Sequence, residues 1–210
     1  MNESSLKGME EFLVELGSTA PAPGGGAAAA LTGAMAAALV EMVAGLAARR
    51  GEEAAGVISR AGKLREGLLQ LAERDAAAYD RVDKALKLPK GDEQEREVRR
   101  RALQTALKEA ARVPLETAES ALEVLRLAGE FLPRCPKSAR SDLASAAALG
   151  LAAVRSALYN VDANCLAIKD PDFLKAMGER RVALVESAEE LAEGVRKDLD
   201  PALQAWLSSV

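Results

Sequence analysis

Three groups of residues carry chemistry by type and spacing. Asp75 sits in the run Arg74-Asp75-Ala76-Ala77-Ala78-Tyr79, a carboxyl followed by three methyl side chains and, four residues on, a phenol. At helical spacing Asp75 and Tyr79 share one side. A carboxylate facing a low-polarity cavity has a raised pKa and can deliver a proton near neutrality; on a solvated face the same aspartate would only pair with a cation. The second group is Pro23-Gly24-Gly25-Gly26 leading into an Ala-rich stretch. Glycines free the backbone to aim several N–H groups at one spot, and a helix N-terminus adds positive potential there. Such a turn holds a carboxylate, a phosphate or a developing oxyanion, or else lets the next helix pack closely. The third group pairs Asp142 with Asn160, eighteen residues or five helical turns apart and so on one face, with Ser145, Ser156 and Asn164 near that line. Small residues between them leave a shallow apolar middle suited to a flat heterocycle. Alternatively, Asp142 caps a helix and the two asparagines bond between helices.

Composition narrows this chemistry. The 210 residues contain no histidine, so imidazole bases, Ser-His-Asp triads and His-dependent metal sites are excluded. Acid–base work falls to carboxylates, Lys, Tyr, Cys or the substrate itself. Two cysteines, Cys135 and Cys165, form no disulfide framework and read as reduced thiols of a cytoplasmic protein. Charged residues make up 29% with both signs mixed and a net charge of −4, which argues against a nucleic-acid partner or a polybasic membrane surface.

These groups must be positioned by helices. Hydrophobic residues are 49% of the chain and aromatics only 3%, so the apolar mass is largely Ala, Leu and Val, and strand formers are scarce. The expectation is an all-α, antiparallel bundle of about five to six long helices without a sheet, in a single domain spanning 1–210. The polar stretch Met1 to Glu11 has no apolar h-region, so no signal peptide is expected. Predicted helices cover Glu3 to Leu16, an Ala-rich segment from Ala27, Glu52 to Leu86, Asp92 to Leu132 with a kink at Pro114, Ser138 or Ser141 to Ile168, and Asp172 to Leu207, bending at Pro201. Asp92 reads as an N-cap with Glu95 as its capping-box partner. Ala27 to Ala48 is long enough to span a bilayer, but Ala and Gly insert weakly and Glu41 interrupts it. It reads as a buried central helix, with Gly33, Ala37 and Gly45 permitting close pairing, and suits an intersubunit position.

Taken in order, several segments resemble the cyclodeaminase/cyclohydrolase family of folate enzymes. They are Ala22-Pro23-Gly24-Gly25-Gly26, Met42-Val43, Asp75 with its aromatic neighbour, Lys87-Leu88-Pro89-Lys90, Val113-Pro114-Leu115, Ser141-Asp142-Leu143, and Tyr159-Asn160-Val161 followed by Asn164. No single piece is specific, but the ordered set, spanning roughly residues 5–175, is.

The resemblance implies an all-helical homodimer with a folate cleft near the subunit interface. It implies formation of 5,10-methenyltetrahydrofolate, with the tetrahydrofolate derivative as substrate and neither a metal nor a permanently bound cofactor. In the cyclodeaminase, N10 of 5-formiminotetrahydrofolate attacks the formimino carbon and ammonia leaves; in the cyclohydrolase, the 10-formyl compound closes with loss of water. Asp75 becomes the general acid and Gly24, Gly25 and Gly26 a backbone nest for a substrate oxygen. Asp142 accepts from the pterin edge, Asn160 and Asn164 orient the closing ring, Tyr79 lies beside the acid, and Lys87 and Lys90 meet the glutamate tail. Ala27 departs from the serine frequent after the three glycines, which removes any hydroxyl contact there but leaves the nest. A non-catalytic helical binding or assembly module is the competing class.

Overall fold

A computed structural model describes residues 3–198 together with 201, 205, 206, 208 and 209. Six helices follow in order: α1 (Glu3–Leu16), α2 (Gly25–Ala48), α3 (Ala55–Leu86), α4 (Glu93–Phe131), α5 (Arg140–Cys165) and α6 (Pro171–Lys197), with single 3-10 turns at Leu132–Arg134 and Lys137–Ala139. No strand occurs among the described residues, so the all-α expectation holds. The predicted extension of the last helix beyond Asp198, and its bend at Pro201, fall largely outside the described residues.

Helices α2 to α5 run alternately up and down and close into a four-helix ring, each packing on the next and α5 returning to α2, while α6 lies against α4 and α5. Side chains fix the register. Glu41 of α2 pairs with Arg65 of α3 at 3.0 Å, Arg74 of α3 with Glu116 of α4 at 2.6 Å, and Arg181 of α6 with Asp162 of α5 at 2.7 Å. The reading of α2 as a buried central helix holds, because it packs on both α3 and α5 and buries half its residues.

Small side chains set how closely the helices approach. A Cβ on Gly33 would lie 3.2 Å from Leu68 Cδ2 and 3.5 Å from Ala153 Cβ, so this glycine serves packing within the chain rather than between subunits. Gly45, by contrast, faces open space. The core is alanine interleaved with Val40, Val43, Leu68, Leu125, Leu127, Phe131, Leu143 and Leu158, all essentially inaccessible; burying each larger side chain contributes about 1.5–3 kcal/mol.

Helix ends follow the expected chemistry. The Asp92 carboxylate accepts from the Glu95 N–H at 2.8 Å, and Glu95 reaches back to the Gly91 N–H at 2.7 Å, one residue earlier than a standard capping box. Asp170 caps α6 through the Phe173 N–H at 3.1 Å. Helix α4 runs through Pro114 without interruption, for a reason found on α5 and described below.

Candidate active site

The site is built where α2 begins. Gly24 is extended (φ −132°, ψ −155°) and provides no side-chain cap. The first intrahelical bond runs from the Ala28 N–H to the Gly24 carbonyl at 3.0 Å, so the N–H groups of Gly25, Gly26 and Ala27 lack helical acceptors. Asp75 of α3 stands directly opposite. Its carboxylate accepts a hydrogen bond from the Ala27 backbone N–H. It lies so close to Gly26 that any Cβ there would overlap both carboxylate oxygens. The glycine turn and the aspartate, read separately from the sequence, are therefore one constellation. The anion at the helix N-terminus is the protein's own carboxylate.

Two influences act on that carboxyl. Burial pushes its pKa up, and the Ala27 hydrogen bond pulls it down; burial is the larger and the net shift is upward. Arg74, its chain neighbour, points away to Glu116 and supplies no counter-charge. Asp75 is thus half-buried, held by one N–H, and a better proton carrier near neutrality than a solvated aspartate.

Asn160 completes the constellation from α5. A Cβ on Gly25 would fall 3.1 Å from its Nδ2 and 3.3 Å from its Oδ1. The side-chain Nδ2 donates to the Ser156 carbonyl at 2.9 Å, so both ends of the amide stand beside the glycine turn while one of its protons is held by α5 itself. Asn164, one turn on, has its amide committed to backbone: Nδ2 donates to the Ala110 carbonyl and to the Asn160 carbonyl, both at 2.9 Å. Its Nδ2 thus ties α5 to α4, the bond between helices that was the alternative reading of this residue.

Helix α3 continues eleven residues past Asp75, beyond the start of α2. Tyr79, Val82 and Leu86 recur at helical spacing from Asp75 on a face that α2 does not cover; Tyr79 and Leu86 are exposed and Val82 half-buried. They form an apolar shelf beside the carboxyl. Lys87 and Lys90 lie past its far end, about 18 Å or more along α3 from Asp75. Both are exposed, and Lys87 is paired with Asp83.

Asp142 is not brought to this site within one chain. It occupies the first turn of α5, near Cys135, about 27 Å along the helix from Asn160. Sharing a helix face did not mean sharing a cleft. A groove of about 580 Å³ between α3 and α4, bordered by Arg81, Lys84, Leu88 and Arg112, is also separate, since Lys84 projects from the side of α3 opposite Asp75. Among the described residues no three His, Cys, Asp or Glu side chains stand together as metal ligands.

Known proteins share this arrangement of sequence and fold. Residues 8–183 match the family model described as formiminotransferase-cyclodeaminase. The chain belongs to that family. The chain is 34% identical over 193 residues to methenyltetrahydrofolate cyclohydrolase of Methylorubrum extorquens, a match covering 89% of this chain and 93% of that protein. It is 35% identical to formimidoyltransferase-cyclodeaminase of Sus scrofa over 90% of its own length, but spans only 37% of that longer protein. The solved structure of formiminotetrahydrofolate cyclodeaminase from Thermotoga maritima superposes with a TM-score of 0.82 at 30% identity, covering 92% of this chain and 96% of that one. Membership of this family, with a desolvated carboxyl at its centre, disfavours the non-catalytic module.

Ala110 is the carbonyl that Pro114, four residues on and without an N–H, leaves without a helical donor, and Asn164 satisfies it; this tie escaped the sequence reading. Its only signal was a proline inside a helical pattern together with an asparagine among apolar residues on another helix, which do not reveal that they meet.

Proposed function

We propose that this chain closes the five-membered ring of a tetrahydrofolate derivative, acting as a formiminotetrahydrofolate cyclodeaminase that forms 5,10-methenyltetrahydrofolate and releases ammonia. The observation that carries the reading is the Asp75 carboxyl, desolvated, seated at the α2 N-terminus and flanked by an exposed apolar shelf.

N10 attacks the formimino carbon, and its proton passes to the imino nitrogen. The product is a ring carbon bonded to N5, N10 and an NH2 group. Expelling that group requires one more proton. Asp75, holding its proton more tightly than a solvated carboxyl, donates it to the nitrogen; the C–N bond breaks, ammonia departs and the cationic methenyl bridge remains. The Asp75 carboxylate left behind is stabilised by the Ala27 N–H and the α2 N-terminus. The remaining N–H groups of the Gly24–Gly26 turn and the Asn160 side-chain amide orient the reacting atoms. The pteridine lies against Tyr79, Val82 and Leu86. In that pose the glutamate tail leaves across α2, away from Lys87 and Lys90.

A cyclohydrolase is the second reading, favoured by the 34% identical relative of matching length. There N5 attacks the formyl carbon of the 10-formyl compound, its proton passes to the formyl oxygen, and Asp75 protonates the resulting hydroxyl, which departs as water. Both readings take the protein as a homodimer in the cytoplasm, where Cys135 and Cys165, unpaired in the structure, stay reduced.

The test follows methenyltetrahydrofolate absorbance with 5-formimino- and 10-formyltetrahydrofolate side by side. Ammonia-releasing closure of the formimino compound alone supports the cyclodeaminase, and turnover of the formyl compound alone supports the cyclohydrolase. Turnover of neither, or full activity in Asp75→Asn, overturns both.

A further inference from the structure

Helices α3 and α4 are zipped by ion pairs in one register. Arg60 meets Glu130 at 2.9 Å and Arg74 meets Glu116 at 2.6 Å, so fourteen residues forward on α3 answer fourteen backward on α4. Half that step further, the same register sets Arg81 against Glu109. There the zip is open. Glu109 turns to Arg112 of its own helix at 3.7 Å, and no carboxylate among the described residues pairs with Arg81 or with Lys84, one turn on. Between the helices at this level lies the groove of about 580 Å³.

The groove has an apolar floor and a cationic rim. Ala85, Leu88, Ala102 and Ala106 supply the floor, and Ala85 and Ala106 are buried. Arg81, Lys84 and Arg112 stand around it, with Glu109 the one carboxylate among the lining residues. That is an excess of positive charge on a chain whose net charge is −4. Arg112 is braced from α6, its guanidinium 5.4 Å from the centre of the Phe173 ring. Because Glu109 is tied to Arg112, Arg81 and Lys84 are the pair left to take an acid. A groove of this volume suits a small molecule. A floor of methyl groups favours a flat body. Guanidinium planes stack on rings and fork onto carboxylate, sulfonate or phosphate oxygens.

We propose that this groove binds a small aromatic anion, with its ring on the alanine floor and its acidic group between Arg81 and Lys84. The site does not depend on the folate reading, because Lys84 projects from the side of α3 opposite Asp75.

The test uses 1-anilinonaphthalene-8-sulfonate, a flat ring system with one acidic group, followed by its fluorescence without substrate. One molecule per chain is expected to bind in the groove. Arg81→Glu/Lys84→Glu should weaken that binding about tenfold or more; both side chains are exposed and unpaired, so no bond within the chain is lost. Ala102→Trp, which fills the groove from its half-buried rim, should weaken it as much. Lys63→Glu/Lys137→Glu, an equal change of charge on exposed residues outside the groove, should leave it within about twofold. The uncharged N-phenyl-1-naphthylamine should bind about tenfold more weakly, and 1-naphthalenesulfonate should displace the probe at concentrations about tenfold lower than octanesulfonate, which has the acid without the ring. Absence of probe binding, binding that survives Arg81→Glu/Lys84→Glu, or an equal loss in Lys63→Glu/Lys137→Glu overturns the site. So does a loss in Tyr79→Ser alone, which would put the probe on the shelf beside Asp75. Equal affinity for the uncharged analogue overturns the anionic assignment, and equal displacement by octanesulfonate overturns the aromatic one.

Discussion

The side-chain amide of Asn164 bonds the carbonyl of Ala110 at 2.9 Å, the acceptor that Pro114, four residues later, has no N–H to satisfy. A proline in the middle of α4 would otherwise strand a buried carbonyl, and α5 repairs the break from outside. The same asparagine bonds the carbonyl of Asn160, so the repair also holds the residue beside Gly25. Asn164→Ala is expected to destabilise the protein by about 1–3 kcal/mol. In a Pro114→Ala background, where α4 can satisfy Ala110 itself, the same change should cost markedly less. Urea unfolding of the four proteins measures that coupling; additive effects would show that Asn164 does not compensate for the proline.

Asp75→Asn should lower turnover by about 10²–10⁴-fold, the usual worth of a positioned acid. It should also raise the melting temperature at pH 7. Burial lifts the folded-state pKa of Asp75 above its unfolded value. Its favourable contribution is therefore complete below the ordinary aspartate range and is lost as pH rises through the folded pKa. At neutral pH the ionised, half-buried group is a burden that asparagine removes. Thermal melts from pH 4 to pH 8 should show the variant's advantage shrinking towards the acid end.

Activity should follow the protonated form of the same group. The rate of ring closure is expected to fall as pH rises through a pKa above the usual carboxylate range. Arg74→Ala should leave that profile in place and change stability by less than about 1 kcal/mol, because Arg74 serves an exposed pair with Glu116. A profile displaced upward in Arg74→Ala would mean that the guanidinium does reach Asp75.

Gly26→Ala and Gly33→Ala separate site from core. At Gly26 the new methyl would overlap the Asp75 carboxylate, so the acid must move; turnover should fall by at least about tenfold, with a loss of about 1–3 kcal/mol from overpacking. At Gly33 it would press on Leu68 at 3.2 Å, deep between α2 and α3, and stability should fall while kcat stays near wild type. Kinetics and melts of both variants decide the matter.

Much of the fold was legible in the sequence. Ala and Leu abundance, few strand formers, and breaks that include residues 17–26, 89–91, 133–136 and 170–171 predicted six helices, with boundaries within a few residues except at the end of the last, expected at Leu207 and found at Lys197. Asp92 and Glu95 announced their own cap. The candidate site was legible only as parts. Gly24 to Gly26, Asp75 and Asn160 were each chosen for their chemistry, but helical spacing relates residues on one helix and says nothing about which turns of different helices meet. Asp142 and Asn160 share a face of α5 at its two ends, and within one chain only Asn160 meets the glycine turn.

By itself the sequence determined which residue types were available, the helical periods that array them and, through the absence of histidine, that proton transfer falls to carboxyl, Lys, Tyr or Cys groups or to the substrate. Tertiary structure decided that the α2 N-terminus meets Asp75, that burial outweighs the Ala27 hydrogen bond at that carboxyl, and that Asn164 faces Ala110. The physical reason is that desolvation, orphaned carbonyls and Cβ overlap are properties of contacts between helices. The up-and-down packing of α2 to α5 creates those contacts, and no local pattern along the chain encodes them singly.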